Sequence, residues 1–290
     1  MSAIPDFDDL PKVEGMPQGC AWGIFDKDGK KDLLGTLNLL TPAVVAAAAT
    51  EVKDGVSISL NWPLNGSKLP PSLPSRPPPT HKVIPLMDNG LVWDDTLEFN
   101  TQISSQWDSL VHVQHMPSGL AYNGLQVTQG ALTASQTTAE NTLPTLDHWH
   151  TRGGLVGRGV LIDFKAYMDD VHEAKQPPYH AFDGYRITVE EVEAVAKHQG
   201  VEFRHGDILI IRTGATEVME NPTPHDFSKL QHAKLSGIHG TEDTARWVWN
   251  KHFSAVASDS PGFEAFPPLR PDGTEGSMSE LGRDLTVGLG

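Results

Sequence analysis

The chain has 290 residues, 38% hydrophobic and 20% charged, with a net charge of −15, a globular composition long enough to bury a substantial core. The acidic balance and scattered Lys and Arg argue against nucleic acid and anionic membranes as partners, because a phosphate-binding face needs a basic stripe. No apolar run approaches a membrane span, the acidic start MSAIPDFDDLPKVEG lacks a signal-peptide pattern, and a single cysteine, Cys20, excludes an intramolecular disulfide or cysteine-cluster metal site. A soluble, cytoplasmic protein is the expectation.

Residues 1–20 read as an irregular N-terminal arm. Thr41-Pro42 is an N-cap with proline at the first helical position, opening a helix through Ala49. Asp26, Asp28 and Asp32 invite a calcium-loop reading, but the ligand set and closing glutamate are missing, which favours a solvated turn. VSISLNWPL, residues 56–64, alternates as a strand does. The proline-dense run SKLPPSLPSRPPPTHKVIPL cannot enter a helix or a sheet interior. It is either a connector or an arm, centred near 69–80, that wraps a partner subunit or covers a site; His81 at its end reads as polar surface.

LVWDDTLEFNTQIS is strand material leading into residues 100–124, NTQISSQWDSLVHVQHMPSGLAYNG. That window holds Gln102, Gln106, Trp107, Asp108, His112, His115 and Tyr122 without helical or strand periodicity. Such crowding suits a site-forming segment, the plainer reading being a solvated loop with a few histidines. Further on, GLQVTQGALTAS is short and glycine-spaced. HWHTRGGLVGRGVLIDF ends in a buried strand over 159–164. RGGLVGRG lacks the Lys-Ser/Thr ending of a phosphate loop and runs into a strand rather than out of one. His148 and His150, two apart, share one face if that stretch is extended, and read as exposed.

ITVEEVEAVAKHQGV is the strongest helix signal, with Thr188 and Glu191 as a capping box and Gly200 as the stop. GDILIIRTG, 206–214, is a buried strand by its continuous apolar run. HGTEDTARWVWNKHF is a second helix capped by Thr241, with Ala245, Val248 and Trp249 inward. SAVASD is a strand ending at Asp259, and 269–290 is a polar, glycine-rich tail. A β-rich first half followed by β-α-β-α-β predicts one α/β domain over 21–268.

These pieces together resemble the cyclase family of kynurenine formamidases and isatin hydrolases. The echoes are WG…LGTLNLLTP, GRGVLIDF, ITVEEVEAVAKHQGV…GDILIIRTG and HGTEDTARWVWNKHFSAVASDSPGFEAFPP, in the family's order over roughly 22–268. The resemblance implies a swivelling β/β/α fold, a mixed sheet or barrel-like core flanked by helices. It also implies homodimers or homotetramers with exchanged arms. The family signature HxGTHxDxPxH places its first histidine on Gln102, its second on Gln106, its aspartate on Asp108 and its last histidine on His112. NTQ…SQWD…H resembles a fungal branch of the family, which implies a role in secondary metabolism. His239 corresponds to a downstream histidine that enters the site in metal-dependent members. After Pro268 the chain departs from the family, with neither its His-containing helix nor its Glu-bearing segment.

Imidazole is a strong ligand for Zn or Mn, and a neutral amide oxygen is a weak one. Gln102 and Gln106 therefore suit holding a carbonyl oxygen better than holding a transition metal. Asp108 and His112 form a candidate carboxylate–imidazole base pair, with His239 and His115 as candidate second proton donors. Trp107, Tyr122 and Trp62 are either walls of an aromatic pocket or core packing. Three functions follow. The first is a small-molecule enzyme, a cyclase, lyase or hydrolase, doing acid–base chemistry on a carbonyl-containing substrate without an organic cofactor. The second is a Zn- or Mn-dependent amidohydrolase with Asp108, His112 and His239 as ligands. The third is a non-catalytic binding protein on the same fold.

Overall fold

Three short apolar runs build the centre of the molecule. In a computed structural model, which describes residues 4–66, 76–134, 136–172, 179–232, 234–270 and 272–276, they form a parallel sheet. The elements in chain order are α1 (Pro42–Ala49), β1 (Thr80–Pro85), β2 (Trp93–Glu98), α2 (Gln129–Thr133), α3 (Leu146–Thr151), β3 (Gly159–Asp163), α4 (Phe164–His172), β4 (Arg186–Ile187), α5 (Val189–Gln199), β5 (Ile208–Arg212), α6 (Ala215–Glu220), α7 (Pro224–Leu230), β6 (Gly237–Ile238), α8 (Glu242–Asn250) and β7 (Ala255–Ser258). The central sheet has the order β3-β5-β7, with Gly159 opposite Ile208 and Ile208 opposite Ala255.

Parallel strands need crossovers long enough to hold helices, and the intervening segments provide them. Val160, Ile162, Leu209 and Ile211 are buried in the sheet, and Val192, Val195 and Ala196 of α5 and Val248 of α8 share their cluster. Helix α5 carries the reciprocal Thr188–Glu191 capping box and stops at Gly200, whose φ of 67° is the left-handed cap glycine adopts cheaply. At the C-terminal ends of β5 and β7, the Asp259 carboxylate accepts from Thr213 N at 2.6 Å and Gly214 N at 2.9 Å, neutralising amides at the start of α6.

A second, two-stranded parallel pair joins β4 to β6. Residues 263–266 lie against its free edge: Ile238 N donates to Phe263 O at 3.0 Å and Ala265 N donates to Ile238 O at 2.9 Å. Gly237 permits that approach. A Cβ there would meet Phe263 O at 2.6 Å and Glu264 C at 2.7 Å.

The N-terminal arm has only a 3-10 turn at Phe7–Asp9, but it is docked. Phe7 and Leu10 are buried against Ala245 and Trp249 of α8, and Trp249 Nε1 donates to Pro5 O at 2.9 Å. The β-rich first half differs more from expectation. Of the proline-dense segment, 67–75 lie outside the described residues, while Thr80–Pro85 pairs antiparallel with Trp93–Glu98 as a hairpin. Residues 56–64 are extended but form no ladder, since no other described strand of the chain lies beside them. His148 and His150 lie on helix α3, not a strand, because Thr145 and Asn141 bind the Asp147 carboxylate and close its first turn. The architecture is mixed α/β with open sheets, not a closed barrel.

Candidate functional site

Residues 100–112 follow β2, and side chains shape them more than backbone ladders do. Asn100 Oδ1 accepts from Gln102 N at 2.8 Å and starts the 3-10 turn Thr101–Ile103. Ser104 Oγ donates to Trp62 O at 2.6 Å, and Trp62 N donates to Ser105 Oγ at 2.7 Å. Trp62 Nε1 in turn donates to Glu220 Oε1 at 2.5 Å, at the end of α6. A chain of polar contacts therefore fastens the segment to the helical half of the molecule. Trp62 serves as that fastener, and Ser104 and Ser105 are its partners.

Within the segment, Gln102 Nε2 donates to Asp108 Oδ1 at 2.7 Å. The other carboxylate oxygen faces His112 Nε2 at 3.7 Å, a charge contact beyond hydrogen-bond length. The Gln102 and Gln106 amides meet at 3.2 Å. One amide hydrogen of Gln102 is thus committed to orienting Asp108, leaving the second for a ligand. The expected pair is adjacent but not buried: the side chains of His112 and Asp108 are 43% and 45% exposed.

The remaining expected residues are dispersed. Trp107 stands beside Trp149 of α3, ring centroids 6.3 Å apart, and is itself partly exposed. His115 is buried, with Nδ1 2.9 Å from Ser118 Oγ, and burial pulls its pKa below the usual imidazole value. Tyr122 is buried and its hydroxyl donates to Asp32 Oδ2 at 3.0 Å. Burial first and then the Asp32 charge push the phenol pKa upward. Asp32 also accepts from Gly35 N, while Asp26 Oδ1 binds Asn123 Nδ2 and Asp32 N. The acidic turn of 26–32 is thus a hub tying the N-terminal segment to 122–124.

His239 follows β6. Burial and then the Arg186 charge pull its pKa down, so the neutral ring is favoured. Among the described residues no group of three or more His, Cys, Asp and Glu side chains could hold a metal ion, so Asp108, His112 and His239 do not converge as a ligand set.

Sequence reasoning passed over Trp149 and Glu264. Trp149 Nε1 is buried without a partner among the described residues, and only its place beside Trp107 signals a role. Glu264, opposite Ile238 in an isolated bridge, has its carboxyl pKa raised by burial, and no basic side chain among the described residues pairs with it.

The Cyclase family model matches residues 38–265, which takes in all three sheets, the 100–112 segment and His239. The chain belongs to the cyclase family. A crystal structure described as a novel cyclase is similar to it, with TM-score 0.64 and 26% identity over 83% of this chain and 78% of that one. Isatin hydrolase A from Ralstonia solanacearum aligns with TM-score 0.40 and 14% identity, over 78% of this chain and 75% of that one. No curated protein matches the chain.

The cyclase-family resemblance implies a divalent metal at the position of Gln102, Gln106 and Asp108. The donors present do not fit a tightly held Zn or Mn: two are neutral amides, and the one carboxylate already has an amide donor on one oxygen.

Proposed function

We propose that this cyclase-family protein is a small-molecule enzyme that uses Asp108 and His112 for acid–base chemistry on a carbonyl-containing substrate, in cyclisation, dehydration or hydrolysis. The observation that carries the reading is the Gln102–Asp108–His112 relay: an amide hydrogen bond of 2.7 Å on one carboxylate oxygen and an imidazole facing the other. His112 takes a proton from the attacking hydroxyl or the acidic N–H or C–H of the substrate. Asp108 then stabilises the imidazolium that forms, and Gln102 holds the carboxylate in that orientation. The second amide hydrogen of Gln102 is available to the substrate carbonyl oxygen, and Trp107 offers it a flat apolar neighbour. The fungal-branch pattern NTQ…SQWD…H supports a secondary-metabolism substrate.

A second reading, a binding protein on an enzyme fold, draws support from the openness of the pair, since acid–base catalysis gains from excluding water. Turnover separates the two. Isatin and an N-formyl aromatic amine are suitable probes, assayed with and without added Mn²⁺ or Zn²⁺. Under the enzyme reading, Asp108→Asn and His112→Gln each lower kcat/KM by about 10²–10⁴-fold, the usual contribution of a positioned acid or base, with unchanged circular dichroism. Turnover that survives both substitutions overturns it. Binding of a probe without turnover favours the second reading.

A further inference from the structure

The register of the β1–β2 hairpin carries past its strands. Thr80 stands opposite Glu98, and four residues further out on each side the same register reaches Arg76 and Gln102. The contact found there agrees, since Arg76 Nη1 donates to Gln102 O at 2.7 Å. Pro77 keeps Arg76 in extended backbone, because a residue before proline is excluded from the helical region, and Pro78 and Pro79 continue a stiff run into β1. The place of the cation is thus set by stiff chain on one side and by the Gln102 carbonyl on the other. Gln102 is also the residue that orients Asp108, through Nε2 at 2.7 Å. No more than one glutamine therefore separates Arg76 from the Asp108–His112 pair.

Arg76 differs from the other arginines in its uncommitted donors. A guanidinium carries five N–H groups in a planar fork. Arg158, Arg204, Arg212 and Arg246 are each paired with a carboxylate. Arg152 and Arg186 commit both terminal nitrogens to carbonyl oxygens. Arg76 is exposed and, among the described residues, meets one carbonyl and no carboxylate. In a chain with 37 acidic residues against 22 basic ones, such an arginine is the exception, and this one stands beside the candidate site.

We propose that Arg76 is an anion-recognition residue of the Asp108–His112 site, and that the carbonyl-containing substrate carries a carboxylate. Nη1 is held by Gln102, and Nε and Nη2, side by side, can take both oxygens of a carboxylate in parallel hydrogen bonds. A carboxylate fits better than a phosphate: its single charge is matched by one guanidinium, whereas phosphate sites usually gather a nest of backbone N–H groups or a helix N-terminus as well. A dianion would also face Asp108 with one charge unmatched. Removing Arg76 leaves an anionic substrate to approach Asp108 in a chain of net charge −15, where repulsion favours a neutral analogue. The identity of the site rests on the proposed function, whereas the anion binding does not.

The test is isothermal titration of the full chain at low salt with benzoate and with benzamide, which share a shape and differ in charge, while the His112 imidazole resonance is followed by NMR. Wild type prefers benzoate by about 10-fold or more, the worth of one charge-assisted bidentate contact, and the His112 resonance moves on binding. Arg76→Gln abolishes or reverses the preference and leaves benzamide binding unchanged. Arg76→Lys keeps the charge without the fork and retains part of it. Lys82→Gln makes the same change in net charge on β1 and leaves the preference intact, which separates a local contact from the field of the whole chain. Equal affinity for the two ligands, a preference that survives Arg76→Gln, binding that leaves His112 unmoved, or no benzoate binding at all overturns the proposal. Turnover is compared on 2-formamidobenzoate and formanilide, which differ by the same carboxylate. Arg76→Gln raises KM for the first by about 10-fold with kcat kept, the mark of lost uniform binding, while Asp108→Asn and His112→Gln lower kcat. Benzoate binding that depends on Arg76 without turnover of either compound removes the enzymatic reading and leaves the anion site standing.

Discussion

Gly237→Ala tests whether the close approach of residues 263–266 to β6 is what holds His239 and Glu264 in place. The added methyl would lie 2.6 Å from Phe263 O, 2.7 Å from Glu264 C and 2.9 Å from Ala265 N. All three are backbone atoms, so no side chain can turn aside, and the strand must retreat by roughly 0.5–1 Å to reach an ordinary carbon contact. Retreat stretches two hydrogen bonds now at 3.0 and 2.9 Å, each contributing about 1 kcal/mol net. Overpacking of this kind costs about 1–3 kcal/mol. Gly130 is the control: nothing lies within 4 Å of its Cβ position and it sits in α2, so Gly130→Ala removes a helix glycine and stabilises by up to about 1 kcal/mol. Urea unfolding of both variants gives the sign directly. Gly237→Ala within about 0.5 kcal/mol of wild type, the scatter of neutral surface changes, would refute the reasoning and mean that residues 263–266 pack more loosely on β6.

Glu264→Gln raises the melting temperature at pH 7 and has little effect near pH 4. Its folded-state pKa is raised by burial, so the stability it contributes is present below the unfolded glutamate value and is lost as pH rises through the folded one. His115 and His239 work in the opposite sense. Their folded pKa values are depressed by burial, with Arg186 adding to the effect at His239. The wild type therefore loses stability as pH falls below the ordinary imidazole value, and His115→Gln flattens that slope in a melting series from pH 7.5 to 5. Asp259→Ala leaves Thr213 N, Gly214 N and Thr216 N without their acceptor and costs on the order of 3 kcal/mol in urea unfolding, the loss of several bonds to one charged group; a cost under 1 kcal/mol would show that water replaces it.

The helical half was legible because its signals are local. Thr188, Glu191 and Gly200 specify both ends of α5 within thirteen residues, and the apolar runs of β3 and β5 need no knowledge of their neighbours to read as buried strands. Pro42 after Thr41 marked α1 to the residue. Strands β4 and β6 were not legible, since two residues each carry no periodicity, and Gly237 announces its role only once residues 263–266 are seen against it. The backbone around His148 and His150 stayed open in the sequence, because the Asn141–Thr145–Asp147 contacts that accompany the helix are not a periodic pattern. In the candidate site, the nearness of Asp108 to His112 followed from their separation by four residues. The use of Gln102 to orient Asp108 did not, because an amide can serve a carboxylate or a carbonyl equally well and only geometry distinguishes them.

The two halves of the chain meet the same physical demand in different ways. Every buried amide and carbonyl needs a partner. In β3, β5 and β7 the ladders meet that need, and their apolar side chains are closed over by α5 and α8. In residues 100–112 side chains do that work: Asn100 binds Gln102 N, Ser104 and Ser105 bind the backbone of Trp62, and Gln102 binds the Asp108 carboxylate. Short polar side chains satisfy a backbone without enclosing it, so the segment is fixed in shape yet open to a ligand. The same lack of enclosure leaves β1, β2 and residues 56–60 apolar and exposed, a condition water penalises in proportion to area.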